Sequence, residues 1–124
     1  MIIAVPTEDG RGLDSQVAQH FGRAPYFTLI EVEDGEIKDV RVLEAPMTHE
    51  PGELPALLRR ENVEVILAYG IGGRAAAFFE SYGIKVLTGV EGRVREVIKA
   101  FIEGRLKTDE KWREKGEFRK GRHS

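Results

Sequence analysis

The chain has 124 residues, 41% hydrophobic and 32% charged, with a formal net charge of −2 and no cysteine. That is the size and balance of one globular domain around one hydrophobic core. It excludes disulfides, thiolate clusters and cysteine nucleophiles, and no apolar run approaches the ~20 residues that cross a bilayer.

The opening MIIAVP has no basic n-region, so no signal peptide is expected and the chain reads as cytoplasmic. Residues 2–6, IIAVP, form a short apolar run that predicts a buried strand. TEDGRGLDS (7–15) is polar and rich in turn formers, hence a loop. YFTLIEVE (26–33) and EIKDVRVLE (36–44) read as strands, and Asp34-Gly35 between them is a hairpin signal. APMTHEPGE (45–53) is a loop. Leu54, Leu57 and Leu58 then fall at helical spacing, with Pro55 tolerable in a first turn. VEVILAYG (63–70) predicts a buried strand. Ala75, Phe78, Phe79 and Tyr82 follow the i, i+3, i+4, i+7 rule before a helix stop at Gly83. IKVLTG (84–89) is a further strand. Val94, Val97, Ile98, Phe101 and Ile102 mark an amphipathic helix closed by Gly104.

This order, β-β-β-α-β-α-β-α, joins a hairpin to two βα units. The apolar first, fourth and fifth strands should be parallel and central, and right-handed crossovers should put helices on both faces. The expected fold is a ribonuclease H-like mixed five-stranded sheet of order 3-2-1-4-5. Residues 1–104 form the domain, with eleven basic and seventeen acidic side chains. Residues 105–124, with eight basic and four acidic, read as a solvated basic tail that adds little to the core. An acidic body does not suggest a nucleic-acid binder. One Asn and two Gln among many Glu, Arg and Val lean toward a thermophile.

Ligands of open α/β sheets bind beyond the carboxyl ends of the parallel strands. Three segments should lie there: the loop from Pro6-Thr7 to His20, AYGIGGRAAA (68–77), and TGVEGR (88–93). In the second, Gly70, Gly72, Gly73 and Arg74 combine close backbone approach with a helix N-terminus, a ready anion site; a merely tight strand-to-helix turn would look the same. The pattern is neither a P-loop nor a dinucleotide fingerprint. Thr88-Gly89 supplies a second such turn. His20 is a candidate metal ligand in the segment QHFGRAP, where Phe21 can anchor the loop, Gly22 permits a sharp turn, Arg23 adds a fixed charge and Pro25 stiffens the start of the next strand. His49 is a second candidate, on a loop at the hairpin side; His123 belongs to the tail. Enzymatic readings fare poorly. The first strand holds no acid and the fourth only Glu64 at its start, so the converging carboxylates of a nuclease are missing. There is no G-x-S-x-G elbow, and Asp14, Ser15 and His20 within one loop do not define a triad.

The residues resemble the dinitrogenase iron–molybdenum cofactor biosynthesis family, which includes NifX, NafY and the C-terminal domain of NifB. The likeness is carried over residues 1 to about 104 by MIIAVP, by Gly12-Leu13-Asp14-Ser15-Gln16-Val17 leading into His20-Phe21-Gly22-Arg23-Ala24-Pro25-Tyr26-Phe27, by Ala68-Tyr69-Gly70-Ile71-Gly72-Gly73-Arg74-Ala75, and by Tyr82-Gly83-Ile84-Lys85-Val86 before Thr88-Gly89. The resemblance implies a ribonuclease H-like fold without nuclease chemistry. It implies a non-enzymatic carrier that takes an iron–molybdenum cofactor or iron–sulfur precursor from a donor protein to an acceptor, without nucleic acid or membrane. The family's cluster-ligating histidine maps onto His20. The chain departs from the cofactor carriers in lacking cysteine and in its basic tail. Chemically, one imidazole is an exchangeable bond where four thiolates would fix a cluster in place, and Arg23, Arg74 and the glycine turns Gly70, Gly72, Gly73, Thr88 and Gly89 suit an anionic cargo. Two alternatives use the same residues differently: a module for a small anion or nucleotide without metal, and a protein-interaction domain whose best feature is Trp112 and Phe118 among basic residues.

Overall fold

The computed structural model describes residues 1–46, 50 and 52–109. Among them run β1 (Ile2–Thr7), β2 (Tyr26–Glu33), β3 (Glu36–Glu44), α1 (Glu53–Arg60), β4 (Val65–Leu67), α2 (Gly73–Ser81), β5 (Lys85–Leu87) and α3 (Val94–Ile102). The strands form one mixed five-stranded sheet of order β3-β2-β1-β4-β5. β1 is antiparallel to β2 and parallel to β4, and β4 is parallel to β5. The strand order read from the sequence is therefore the order observed, except that β5 forms an edge of the sheet rather than lying centrally. Asp34 and Gly35 both have positive φ, 53° and 75°, the geometry of a two-residue hairpin turn whose twist matches that of its strands.

Strand alternation assigns the two faces. Ala4, Phe27, Leu29, Ile66 and Val86 point to one side and bury against Leu54 and Leu58 of α1 and Ala76 and Phe79 of α2. Ile3, Val5, Ile30, Val65 and Leu67 point to the other and bury against Val94, Val97 and Ile98 of α3. Pro55 sits in the first turn of α1, where its missing N–H costs nothing.

Two strands are shorter than the sequence suggests, and one of them is β5, three residues long rather than spanning 84–89. β4 is three residues long rather than spanning 63–70, and the ladder between β1 and β4 ends at Ala4↔Ile66. The reason lies in the loop before His20. Residues 16–21 enter the gap between the carboxyl ends of β1 and β4. Ala18 N–H donates to the Pro6 carbonyl at 2.8 Å on one side, and Gly70 N–H donates to the Gln19 carbonyl at 3.1 Å on the other. Pro6, which has no N–H, stands where that ladder has already ended. The loop also holds two 3-10 turns, Gly12–Asp14 and Phe21–Arg23, that periodicity does not announce.

Residues 105–109, the first of the segment expected as a tail, turn back toward the sheet: Leu106 is half-buried against the α3-side cluster. Trp112, Phe118 and His123 lie outside the described residues, as does His49.

Phe79 is fully buried and meets Phe21 edge-on, with ring centroids 5.4 Å apart. It joins α2 to the loop that carries His20. Phe79→Ala should lower unfolding free energy by about 3–5 kcal/mol in urea denaturation, as for large aromatic truncations in well-packed cores.

Candidate functional site

Everything at the carboxyl edge is hung on main-chain hydrogen bonds. Glu8 N–H donates to the Gln16 carbonyl (3.1 Å), Val17 N–H to Gly92 (2.9 Å) and Phe21 N–H to Gly70 (2.9 Å). Upstream, Asp9 organises the turn. Its carboxylate accepts from Ser15 Oγ at 2.5 Å, from Arg11 N–H at 3.1 Å and from Arg11 Nε at 3.0 Å. These bonds, the Ser15 hydroxyl foremost, hold the Asp9 carboxyl below its ordinary value of 3.8. Asp14 pairs with Arg95 of α3 at 3.1 Å. The sequence reading did not find this network, although Asp followed by Arg two residues on and Ser six residues on is the kind of local side-chain-to-backbone turn such residues build.

His20 follows this fixed segment. Its backbone is extended (φ −129°, ψ 119°) and precedes the 3-10 turn Phe21–Arg23, whose Arg23 N–H donates back to the His20 carbonyl at 3.1 Å. Phe21 is buried, with ring centroids 5.2 Å from Phe27 and 5.4 Å from Phe79. His20 itself is exposed. A buried residue on one side and a main-chain bridge to Gly70 therefore present the imidazole to solvent from a constrained backbone.

Gly70 makes this possible. A Cβ there would lie 2.9 Å from the Gln19 carbonyl oxygen, a distance real Cβ atoms do not tolerate. Both polar groups of Gly70 are taken up by the loop, so the structure gives it a positioning role. Gly72, Gly73 and Arg74 are placed differently. Gly72 is the N-cap of α2 with no side-chain cap, and the first amides of a helix have no intrahelical partner. Gly72 and Arg74 line a cavity of about 320 Å³ with Phe21, Gly22, Glu50, Leu54, Pro55 and Phe78. No ion pair reaches Arg74 among the described residues. Arg23 lines a neighbouring cavity of about 310 Å³ with Tyr26 and Glu44, and the two cavities share Gly22 and Leu54.

The second glycine turn is not equivalent to the first. Val94 N–H, at the start of α3, donates to the Ser15 carbonyl at 2.9 Å. Thr88 is buried, its hydroxyl donates to the Asp109 carbonyl at 2.7 Å, and its own carbonyl accepts from Asp109 N–H at 2.6 Å. The nearby hollow holds Glu8 and Glu91, poor company for an anion. So the structure brings Gly22, Gly72 and Arg74 to one cavity, ties the His20 backbone to Gly70 without placing His20 in that cavity's lining, sets Arg23 on the neighbouring cavity, and covers Thr88 and Gly89. Glu50 and Gly52 on that cavity show that the loop after β3 borders the site, which hydropathy alone could not indicate.

No three histidine, aspartate or glutamate side chains gather among the described residues in a way that would hold a metal ion. Among the described residues, the donors at this edge are one imidazole, the first amides of α2 and an arginine beside an apolar wall, a set suited to an anion rather than to a resident metal ion. No helix of the described residues is long and apolar enough to cross a membrane.

The chain is similar to known proteins over most of its length. The family described as "Dinitrogenase iron-molybdenum cofactor" matches residues 1–104. The Methanocaldococcus jannaschii protein MJ0580 is 34% identical over 110 residues, covering 86% of this chain and 89% of that one. The crystal structure of PH0822 superposes with a TM-score of 0.83 at 46% identity, over 90% of this chain and 98% of that one. The apo form of the orange protein from Desulfovibrio gigas superposes with a TM-score of 0.73 at 27% identity, over 87% and 92%.

Two outcomes follow from the geometry. Gly70→Ala should cost about 1–3 kcal/mol, the range for overpacking, and should speed amide hydrogen exchange at Phe21 more than in β2. Asp9 acts through pH. Because folding lowers its carboxyl, its contribution is present above the ordinary value of 3.8 and is lost as pH falls through the lower folded value. Amides of residues 9–15 should lose protection there in acid, and Asp9→Asn should abolish that pH dependence.

Proposed function

The chain belongs to the dinitrogenase iron–molybdenum cofactor family, and from that premise we propose that it is a non-enzymatic carrier. Its cargo would be an iron–molybdenum cofactor or an iron–sulfur cluster, received from one assembly protein and surrendered to another. The observation that carries this reading is the exposed His20 on a main-chain frame bridged to Gly70, just before α2, whose N-cap has no side-chain hydrogen bond and whose Arg74 makes no ion pair among the described residues.

Each part has a task. The imidazole of His20 supplies the single covalent ligand. The first-turn amides of α2 at Gly73 and Arg74 and the guanidinium of Arg74 neutralise an anionic cluster. The apolar wall of Phe21, Leu54 and Phe78 keeps one side of the cargo out of water and strengthens those electrostatic contacts. Arg23 adds charge from across Gly22. A carrier must let go, and one nitrogen bond backed by amides exchanges faster than several thiolates. A relative solved in an apo form and named for a colour is in keeping with a cargo that comes and goes.

The test is anaerobic loading with an iron–sulfur cluster, read by visible absorption and affinity. His20→Ala should weaken binding on the order of tenfold or more, since even partners behind a metal ligand are worth that much. His49→Ala should weaken binding less than His20→Ala. Stability of His20→Ala should stay within about 0.5 kcal/mol of the parent because the side chain is exposed. A fully coloured His20→Ala protein would overturn the ligand assignment. If Arg74→Gln alone lost an oxyanion in that case, the small-anion module would replace the carrier.

A further inference from the structure

We propose that the cavity beside the start of α2 is a binding site for an organic monocarboxylate with an aromatic or bulky aliphatic body. The inference rests on the cavity alone. An acid seated there would occupy the wall that the cargo above leans on, and either finding can stand without the other.

The walls are apolar and held in place. Phe21 and Leu54 are 3% and 4% exposed, and Pro55 is buried in the first turn of α1. Phe78 is half-buried and bounds the space from α2. Its ring rests on Gly52, where a Cβ would lie 3.3 Å from Phe78 Cζ and 3.4 Å from Cε1. Gly52 also has φ +89°, so the turn before α1 favours glycine on two counts. The space bounded by that ring is therefore set by the fold. At about 320 Å³ it falls within the range of small-molecule sites, about 300–1,000 Å³. Gly22 and Gly72 add no side chain to it, and a Cβ on either would meet nothing within 4 Å.

The charged groups on the lining select the ligand's charge. Arg74 is exposed and makes no ion pair among the described residues. A guanidinium in that state can take both oxygens of a carboxylate in parallel hydrogen bonds. Glu50 is exposed as well, with its backbone N–H donating to the Glu53 carboxylate at 2.9 Å. One cation and one acid on the same lining suit a ligand of single negative charge and oppose a phosphate or other multiply charged oxyanion. An exposed arginine alone holds a carboxylate weakly, because water screens the pair. The apolar walls supply the rest: a ring or branched chain laid on Phe21, Leu54, Pro55 and Phe78 removes apolar surface from water on both sides. The ligand is thus an apolar body with one carboxylate at its end.

The test titrates 3-phenylpropionate into the full chain near neutral pH and follows amide and methyl NMR shifts. A ligand of this size should bind with a Kd on the order of 1 mM or tighter. Shifts should centre on Phe21, Gly22, Leu54, Gly72 and Phe78 and spare β3. Two analogues divide the recognition: 3-phenylpropanamide keeps the body without the charge, and acetate keeps the charge without the body. Each should bind about tenfold or more weakly than the acid. Arg74→Gln should weaken the acid by about tenfold. Gly72→Val, at a backbone conformation valine accepts (φ −68°, ψ 150°), should weaken it at least as much by filling the space. Arg60→Gln, which removes an exposed charge at the end of α1, should bind like the parent. The proposal is overturned if the lining shows no shifts, if the amide or acetate binds as well as the acid, or if Arg74→Gln binds like the parent. Cluster loading is read separately through His20, which is not on this lining, so neither result decides the other.

Discussion

The edge of this sheet depends on one close approach: the Gly70 backbone lies against the Gln19 carbonyl, where a single methyl group would stand 2.9 Å from oxygen. That contact lets residues 16–21 fill the opening between β1 and β4. The opening exists because the two strands stop pairing at Ala4 and Ile66, and the proline that follows in β1 cannot donate to a neighbour. Phe21 is then driven into the aromatic cluster with Phe27 and Phe79, and His20 is left facing solvent. The position of the imidazole is thus a consequence of backbone sterics and aromatic burial.

The two βα turns share a composition and differ in what they offer. At α3, the first amide is bonded by Ser15 and the preceding turn lies under Asp109. At α2, Gly72 caps without a side chain and opens onto an apolar cavity with Arg74 on its rim. Helix dipole and unpaired amides act only where a ligand can reach them. The same glycine-rich chemistry therefore gives one helix end open to a ligand and one that the chain keeps for itself. For a carrier this asymmetry is useful, because cargo held on one open side by one imidazole can leave by the way it came.

Much of this was legible in the sequence. The hairpin at Asp34-Gly35, the amphipathic faces of α2 and α3 and the apolar first, fourth and fifth strands fix the topology, since hydrophobic period and crossover handedness leave few arrangements. The placement of His20, Gly72 and Arg74 at the carboxyl edge was legible from the strand order. What was not legible depends on tertiary contact. Gly70 reads as a ligand-approaching glycine until the Gln19 carbonyl is seen beside it. Thr88 and Gly89 read as an open turn until Asp109, twenty residues on, is found across it. Strand β4 looks eight residues long because its apolar run continues, yet its ladder is cut short by a loop from elsewhere in the chain. Leu106 was the one visible hint that the charged segment after Gly104 does not simply leave the domain.

The central claim is that His20 ligates an anionic cluster at this edge. Pulsed electron paramagnetic resonance on the chain loaded with a reduced iron–sulfur cluster, with its histidines labelled by nitrogen-15, reads that bond directly. The account predicts a strong coupling to one imidazole nitrogen that persists when His49 and His123 are both replaced. A bound cluster with no histidine nitrogen coupling, or a coupling that disappears with those two replacements while His20 remains, would contradict it.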